Sequence, residues 1–542
     1  MTDRPNALAP FGNSLYAAYW STALAANFGW MIQVVGASWL MVSIGGTLQE
    51  VALIQTSLSL PVMLFSLVAG SVADSRGRRT VVMVAQTFLL AVSSVLAVSS
   101  FLGWISPWML LAFTFLIGTG KAMSNPGWQT LVSEFMPREQ LPQAVALNSL
   151  GFNLARSVGP MIGGAIVSAV GAFMAFAISA LSNVGMLLVL AFWKGKPEPR
   201  QLPPESITSA MISGVQFVAM SPHILRLLIR GGIHGFGAIS VLALLPLIAR
   251  DGIRGGPETY GILLGAFGMG AVAGAFVSSR LRRRLNLEQV VRVGFVAFAF
   301  ATIMLGVSTN LIVSAGGAAV AGASWLIALS AMQANVQVSS PRWVVGRCHA
   351  LFHTACFAGN SLGSLVWGLW AASSGIGNAM IASACALLLV TVIGSKYKLQ
   401  ELDLHSLDPS EPWTVPDVTL DMQPQSGPIL TTIDYVIKPE NERTFLAIMA
   451  ERRKVHLRNG ARGWGLARDI VTSQNWTERY YTSTFIETQR MHGRRTVAEA
   501  ELSQRLRALH SGEGPPRARY SLDRQTGWFR THNATAGGTL ET

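Results

Sequence analysis

Twelve apolar runs dominate the first 397 residues of this 542-residue chain, and each is long enough to cross a membrane. About 20 apolar residues span the hydrocarbon core of a bilayer, and backbone groups cannot stay unpaired in lipid, so such runs must be helices. The runs cover residues 15–42, 50–73, 80–102, 107–133, 141–168, 171–193, 224–249, 258–279, 288–307, 309–336, 343–372 and 375–395. The sequence therefore predicts an all-α membrane protein with twelve transmembrane helices.

The distribution of charge predicts how these helices are oriented. Only 13% of the residues are charged, whereas soluble proteins carry about 25%. The net charge of +13 does not indicate a nucleic-acid partner, because the basic residues of this region lie mostly in short breaks between apolar runs. The odd-numbered breaks hold only Arg250 and Arg254. The positive-inside rule then predicts a multi-pass protein of the bacterial inner membrane, in contact with the lipid bilayer, with both termini cytoplasmic.

The two halves of the membrane region repeat each other at a constant offset of 204 residues. The paired positions are Gly70 and Gly274, Arg78 and Arg282, Arg79 and Arg283, Gly118 and Gly322, Gln129 and Gln333, Gly159 and Gly363, Gly164 and Gly368, and Gly171 and Gly375. Six spans per unit is an even number, so both units face the same way. Parallel repeats of this kind usually enclose a site near the membrane midplane. We predict six-helix bundles at 1–198 and 224–398, joined by a cytoplasmic linker at 199–223.

The break after the second span contains a glycine–acid–arginine pattern suited to a gate. Gly70 permits close helix contact, Gly77 permits a tight turn, and Asp74 can pair with an arginine or a helix N-terminus. The predicted gating residues are Gly70, Asp74, Gly77, Arg78 and Arg79, with Gly274, Arg282 and Arg283 in the second copy, where Ser278 replaces the acid. The alternative is that these arginines only determine topology. The pattern resembles the signature loop of the major facilitator superfamily.

The fifth span contains the second motif, Gly159-Pro160-Met-Ile-Gly163-Gly164. Pro160 removes a helix hydrogen bond and bends the helix, while the three glycines let a neighbour approach closely. The motif resembles the antiporter-associated motif of the superfamily. With Asn148, Asn153 and Arg156 it resembles the branch that contains the enterobactin exporter and the transmembrane secretion effectors. The resemblance implies the major facilitator fold and ion-gradient-driven export of an organic small molecule by alternating access, without cofactors.

Polar side chains inside the spans are the candidate substrate-binding residues, because they are costly in lipid. They are Gln33, Lys121, Asn148, Asn153, Arg156, His234 and His353. Lys121 and Arg156 can present positive charge to an anionic substrate, and the alternative for each is a structural contact with a facing helix. No Asp or Glu lies well inside a span, so ion coupling must use His234, His353, an acid at a helix end, or the substrate itself. No metal site or catalytic residue is predicted.

Beyond a linker at 399–427, residues 428–520 predict a cytoplasmic α+β domain. Strands and amphipathic helices follow in the order β-α-β-β-α, which suggests a ferredoxin-like unit. One strand is predicted at 463–471 and another at 478–487, and residues 521–542 have the composition of a disordered segment. The domain resembles antibiotic-biosynthesis monooxygenases through Arg458, Gly460, Trp464, Asp469, Glu487, His492, Arg494 and Thr496. That resemblance implies a homodimer through the tail, while His492 is interpreted as a solvated or packing residue.

These observations predict a secondary active transporter rather than an enzyme, which exports a siderophore, drug or secondary metabolite. Two alternatives remain at this point. In one, the tail is a membrane-tethered monooxygenase-like enzyme whose substrate the membrane part delivers or removes. In the other, the chain is a membrane scaffold that transports nothing and binds partners through its tail.

Overall fold

The computed structural model describes residues 8–76, 78–137, 140–193, 207–341, 343–394, 396–399, 419–494 and 496–524. The chain divides into two compact units, Met1–Leu402 and Asp403–Thr542. We call them the membrane unit and the tail unit and describe each by itself.

The described residues of the membrane unit form twelve long α-helices and one short α-helix. The long helices are α1 Ser14–Ser43, α2 Leu48–Arg76, α3 Arg78–Phe101, α4 Pro107–Phe135, α5 Leu141–Val170, α6 Ala172–Phe192, α8 Pro222–Leu247, α9 Pro257–Leu281, α10 Leu287–Val307, α11 Leu311–Val338, α12 Val345–Ser374 and α13 Ile376–Gly394. Each corresponds to one predicted span. Nine of them, among the described residues, are long and apolar enough to cross a membrane. The short helix α7, Ile207–Ala219, lies in the predicted linker.

The breaks between apolar runs contain the signals that start these helices. The side chain of Asn13 accepts hydrogen bonds from the backbone of Leu15 and Tyr16 at the start of α1. Asn286 and Gln289 form a reciprocal capping box at the start of α10. Helices α4, α8 and α9 each begin with a proline, whose missing N–H would have no intrahelical partner there. Short polar segments therefore determine where each apolar helix begins.

The internal repeat is visible in the geometry. Helices α5 and α12 are each 30 residues long and occupy equivalent positions in the two halves. Each ends at a glycine of the predicted pair, Gly171 with φ 103° and Gly375 with φ 89°. Glycine adopts this left-handed region without the steric penalty that a Cβ imposes. The same turn thus redirects the chain at the same point of each half.

The main contacts between the halves are those of α2 with α12 and of α5 with α9. The hydroxyls of Thr56 and Ser364 lie 2.7 Å apart across the first pair, and those of Ser66 and Thr354 lie 3.1 Å apart. Large apolar side chains cover the outside of the bundle, and Phe192, for example, is 83% exposed. A continuous apolar exterior is unfavourable in water and suits a lipid environment.

The tail unit is a four-stranded antiparallel sheet with three helices. Its elements are β1 Ile429–Val436, α14 Glu442–Arg458, β2 Arg462–Arg468, β3 Asn475–Thr482, α15 Phe485–Gly493, α16 Val497–Leu509 and β4 Ala518–Leu522. The strand order is β2-β3-β1-β4, so the chain's first strand lies in the centre beside its last.

Two details of the tail prediction are wrong. The predicted strand at 478–487 ends at Thr482, because Thr484 caps the new helix α15 by accepting a hydrogen bond from the Glu487 backbone. The predicted order has no strand after the second helix, but β4 follows α16, extends into the segment predicted to be disordered, and pairs with β1 from Ile429–Leu522 to Ile433–Ala518. A five-residue edge strand has too little periodicity to be recognised in the sequence, and pairing with β1 forms it. Residues 525–542 lie outside the described residues.

Candidate functional site

Two basic side chains lie halfway along helices of the first half, and each rests on a tryptophan. Nζ of Lys121 in α4 is 5.0 Å from the ring centroid of Trp30 in α1. Cζ of Arg156 in α5 is 4.6 Å from the ring of Trp325, which belongs to α11 of the second half. Both are cation–π contacts, in which the negative face of the ring attracts the cation. The Arg156 contact connects the two halves at mid-helix depth.

No carboxylate of the sequence lies near the middle of a long helix. Within residues 14–394 the acids are Glu50, Asp74, Glu134, Glu139, Glu198, Glu205, Asp251, Glu258 and Glu288, all near helix ends or in breaks. Glu288 is nevertheless buried, at 5% exposure, and pairs with Arg230 at 3.4 Å and Arg292 at 2.9 Å. Sequence reasoning missed the pair of Glu288 with Arg230, because these two residues come from different helices. Lys121 and Arg156 have no comparable acid at their depth.

Two predicted substrate-binding residues prove to pack inside their own half. The Gln33 amide lies 3.2 Å from the Ser93 hydroxyl of α3 and accepts from Ser179 of α6 at 2.5 Å, and the residue is 3% exposed. His234 is 1% exposed and stacks on Phe295 with ring centroids 5.0 Å apart. In this structure both side chains have their neighbours within their own half, and contact of either one with a substrate stays a prediction. The geometry supports packing roles for both residues.

The predicted asparagines lie on α5. The Asn148 side chain accepts a hydrogen bond from the Tyr16 hydroxyl at 3.4 Å and lines a small cavity between α1, α4 and α5. Asn153 donates to the Ser149 carbonyl of its own helix at 2.8 Å. Asn148 therefore remains a candidate for contact with a ligand, whereas the amide of Asn153 is used within α5.

His353 of α12 faces the other helices of the second half. Its Nε2 lies 3.3 Å from the side-chain nitrogen of Gln333 in α11, and its ring stacks at 6.5 Å on that of His349. Thr354, the next residue, contacts Ser66 of the first half. Of the two candidate histidines, His353 thus lies nearer to the interface between the halves.

The glycines of the fifth-span motif face two different helices. A Cβ at Gly159 would lie 2.8 Å from Cβ of Met31 in α1, and one at Gly163 would lie 3.0 Å from Cα of Ile32. A Cβ at Gly164 would instead meet α9 of the second half. Pro160 lies inside α5 between these contacts. The motif therefore allows α5 to pack closely on both halves at once.

Part of the predicted gate holds helices together within one half. Arg79 donates to the carbonyls of Leu190 at 2.8 Å and Ala191 at 3.2 Å, where cations are favoured at the C-terminus of α6. A Cβ at Gly274 would lie 2.5 Å from the Ala323 carbonyl oxygen of α11. These contacts give Arg79 and Gly274 packing roles.

The remaining gating residues lie at or near the ends of α2, α3 and α9. Arg78 begins α3 and is half-buried, while Arg282 and Arg283 are exposed at the end of α9. Gly70 and Asp74 are described only as part of the backbone of α2, and Gly77 lies outside the described residues. The gating role of Asp74 and Arg78 therefore stays a prediction.

Nearly the whole chain matches one known protein family. The family model described as "Transmembrane secretion effector" matches residues 5–526, nearly the whole chain. The chain belongs to this family. The match covers the described part of the tail unit as well as the membrane unit and confirms the resemblance to the transmembrane secretion effectors. The resemblance of the tail to antibiotic-biosynthesis monooxygenases stays a prediction.

Two curated relatives of this transmembrane secretion effector are transporters. It is 24% identical over 399 residues to the multidrug efflux pump Tap of Mycolicibacterium fortuitum, covering 71% of this chain and 96% of that protein. It is 27% identical over 259 residues to the enterobactin exporter EntS of Escherichia coli O1:K1 / APEC, covering 47% of this chain and 61% of EntS. The predicted small-molecule transporter, rather than an enzyme, is confirmed.

Solved structures show the same fold. A bacterial homologue of the lysosomal transporter Spinster, in an inward-facing unoccupied conformation, has a TM-score of 0.58 at 14% identity and covers 71% of this chain and 96% of that one. The D323A variant of the nucleoside transporter NupG has a TM-score of 0.59 at 12% identity and covers 70% and 99%. At these identities the similarity establishes the fold alone.

The tail unit of this family member contains a buried charged cluster that sequence reasoning missed. Glu478 on β3 is fully buried and accepts hydrogen bonds from the Tyr435 hydroxyl at 3.0 Å, Arg452 Nε at 2.8 Å and Trp464 Nε1 at 2.8 Å. The only sequence signal is that Glu478 occupies an inward position of an alternating strand. His456 Nε2 lies 3.3 Å from the same carboxylate. We call these five residues the Glu478 cluster.

Burial changes the ionisation of groups in and next to this cluster. Burial raises the pKa of the Tyr435 and Tyr480 hydroxyls above their ordinary value, with the nearby Glu478 carboxylate adding to the effect. Burial acts to lower the pKa of Arg452, but attraction to Glu478 outweighs it and raises the pKa above the ordinary value. Arg452 therefore stays charged and both tyrosines stay neutral at physiological pH.

We expect the tail unit to lose stability as pH rises above about 10, the ordinary tyrosine pKa. The pKa of Tyr480 is raised in the folded protein, so this tyrosine ionises first in the unfolded chain. The contribution of Tyr480 to stability is therefore complete below its unfolded pKa and is lost as pH rises through its folded pKa. Tyrosinate absorbance of the full chain should show a late-titrating group that Tyr480→Phe removes. Tyr481→Phe, at the next position along β3, is the control. An unchanged alkaline titration in Tyr480→Phe would contradict the assignment.

Proposed function

We propose that this chain is an inner-membrane exporter that works by alternating access, driven by an ion gradient. Its twelve long helices would all cross the bilayer, with both termini and the ferredoxin-like tail in the cytoplasm. The names of its relatives, a multidrug efflux pump and an enterobactin exporter, support outward transport of an organic small molecule such as a drug, siderophore or secondary metabolite. Pairing of two tails stays a prediction.

The close approach of α5 and α9 is the observation on which this proposal mainly depends. At Gly164 and Gly261 the two backbones are so close that a Cβ on either residue would lie 2.9 Å from Cα of the other. Eight residues earlier in α5 and seven residues later in α9, at Arg156 and Gly268, a Cβ on Gly268 would lie 2.5 Å from the Arg156 carbonyl oxygen. The Gly164–Gly261 contact lies toward the end of the bundle that the charge distribution predicts to be extracytoplasmic. We infer a state closed to the outside.

Small residues make such a closure reversible. Glycine contacts present no interlocking side chains, so the helices can separate and meet again without rotamer changes. The basic side chains Lys121 and Arg156 lie deeper, at the midplane where parallel repeats place their substrate site. In this proposal Asp74 and Arg78 close the cytoplasmic end in the opposite state, and Pro160 allows α5 to bend between the two.

Ion coupling is assigned to His353. No acid lies in the middle of a long helix, and His234 is packed against aromatic rings inside the second half. His353 has the Gln333 side chain and His349 as polar neighbours, and the next residue contacts the first half. A proton on this ring would therefore change the charge beside the interface that moves.

Transport by energised inside-out vesicles tests the proposal. We expect uptake of labelled compounds from a panel of drugs, siderophores and metabolites, and a fall of about tenfold or more in Asp74→Asn, because removing a gating charge shifts the balance of the two states. Asp251→Asn is the control, since Asp251 is exposed and pairs only locally with Arg250 at 2.5 Å. Absence of uptake for every compound counts against transport, and undiminished uptake by Asp74→Asn removes the gate role.

A further inference from the structure

The two halves, although repeats of each other, differ where a substrate would bind. At the offset of 204 residues, Lys121 is equivalent to Trp325 and Arg156 is equivalent to Asn360. Asn148 and Asn153 are equivalent to Phe352 and Phe357. Because the helices of both halves begin and end at matching positions, these pairs occupy the same depth. The first half thus carries cations and amides where the second carries mostly aromatic rings.

The positive charges at this depth are not balanced by the protein. No acid of the sequence lies in the middle of a long helix, so Lys121 and Arg156 have no carboxylate at their own level. Each rests instead on a tryptophan face, which stabilises a cation only partly. Among the described residues, one terminal nitrogen of Arg156 is buried without a hydrogen-bond partner. Unpaired charge and an unused donor are costly in a membrane interior and commonly indicate a ligand.

Aromatic rings of the second half lie beside Arg156. Trp325 contacts Arg156 from the second half, and its ring centroid is 6.1 Å from that of Phe267 on α9. Aromatic faces bind flat apolar groups through dispersion and edge-to-face contacts. An anion with an aromatic body can therefore satisfy both halves simultaneously.

We propose that the substrate is an amphipathic organic anion, with its charged group directed to Lys121 and Arg156 and its aromatic body against Trp325 and Phe267. The identity of this ligand as a transported substrate rests on the proposed function, whereas its binding does not. The charged end binds the first half and the ring binds the second. The ligand thus connects the two halves and replaces the Arg156–Trp325 contact between them.

Three naphthalene compounds of equal ring size test the charge preference: naphthoate, naphthalenemethanol and naphthylmethylammonium. With the full chain in nanodiscs, equilibrium dialysis should show naphthoate binding about tenfold or more tightly than the alcohol, with the ammonium compound weakest. Lys121→Gln and Arg156→Gln should each remove most of that preference, while Lys121→Arg, which keeps the charge, should retain it. Lys396→Gln, an exposed position after α13, is the control.

Each outcome bears on one proposal. Failure to bind naphthoate, equal binding of the three compounds, or a preference that survives both glutamine variants overturns the anion site. If a glutamine variant also loses binding of the alcohol, that variant has a folding defect. The Lys121→Arg variant then decides, because a retained preference for the anion supports the site and a lost preference counts against it. If naphthoate binds selectively but inside-out vesicles accumulate no compound, the proposed function fails and the anion site stands. If vesicles accumulate compounds regardless of their charge, the proposed function stands and the anion site fails.

Discussion

Replacement of Gly164 by alanine, and more strongly by valine, is expected to reduce transport about tenfold or more, because overpacking a tight contact costs about 1–3 kcal/mol. The added Cβ would lie 2.7 Å from the Pro257 carbonyl oxygen, 2.9 Å from Cα of Gly261 and 3.3 Å from Cα of Glu258. All three are backbone atoms, so no rotamer change relieves the clash. The helices α5 and α9 must separate, which destabilises the state closed to the outside.

The measurement is the initial rate of uptake into energised inside-out vesicles, normalised to the amount of folded protein. Gly316 is a matched control, since it also lies in a long helix but a Cβ there would meet nothing within 4 Å. Gly316→Ala and Gly316→Val should therefore transport like the unmodified chain. Equal rates for the Gly164 and Gly316 variants would show that the α5–α9 contact does not limit transport.

Substitution of Glu478 by glutamine is expected to destabilise the tail unit by about 3–5 kcal/mol, the usual effect of removing one partner of a buried ion pair. The carboxylate is fully buried and accepts from Tyr435, Arg452 and Trp464. Glutamine has nearly the same shape but no charge, so the Arg452 guanidinium would remain buried without its counter-ion. A large part of the stability typical of a small domain would be lost.

Denaturant titration of the full chain, followed by proteolysis of the tail, measures this loss. Glu451→Gln is the control, because Glu451 is 63% exposed and 4.0 Å from Arg505, and exposed pairs contribute only about 0–1 kcal/mol. A tail as stable in Glu478→Gln as in the control would mean that the Glu478 cluster is not what holds the sheet to its helices.

Sequence patterns predicted the long helices accurately because lipid imposes a strict requirement on them. Each apolar run must satisfy its own backbone, so its length and its polar flanks suffice to locate it. The repeat was equally clear, and the positive φ of Gly171 and Gly375 shows that the spacing reflects the fold. In the tail, by contrast, β4 was missed, since a short edge strand depends on the strand beside it.

The depth of polar residues in the membrane could be predicted, but their facing could not. Lys121 and Arg156 were identified from position alone, and the structure adds that each rests on a tryptophan. Gln33 and His234 were identified by the same reasoning, and the structure instead packs them inside their halves. The hydropathy pattern locates each span, and the position of a residue within the span gives its depth. The partners of that residue depend on how the helix is rotated against its neighbours.

Hydrophobicity, charge and glycine spacing along one chain were sufficient to predict the number and position of the long helices, the twofold repeat and the family. The residues that meet are known only from the folded structure: Arg156 with Trp325 across the halves, Gly164 with Gly261, and Glu478 with three donors in the tail. Such contacts join residues far apart in the chain. They depend on helix rotation and strand pairing, which the local physical chemistry of a segment does not specify.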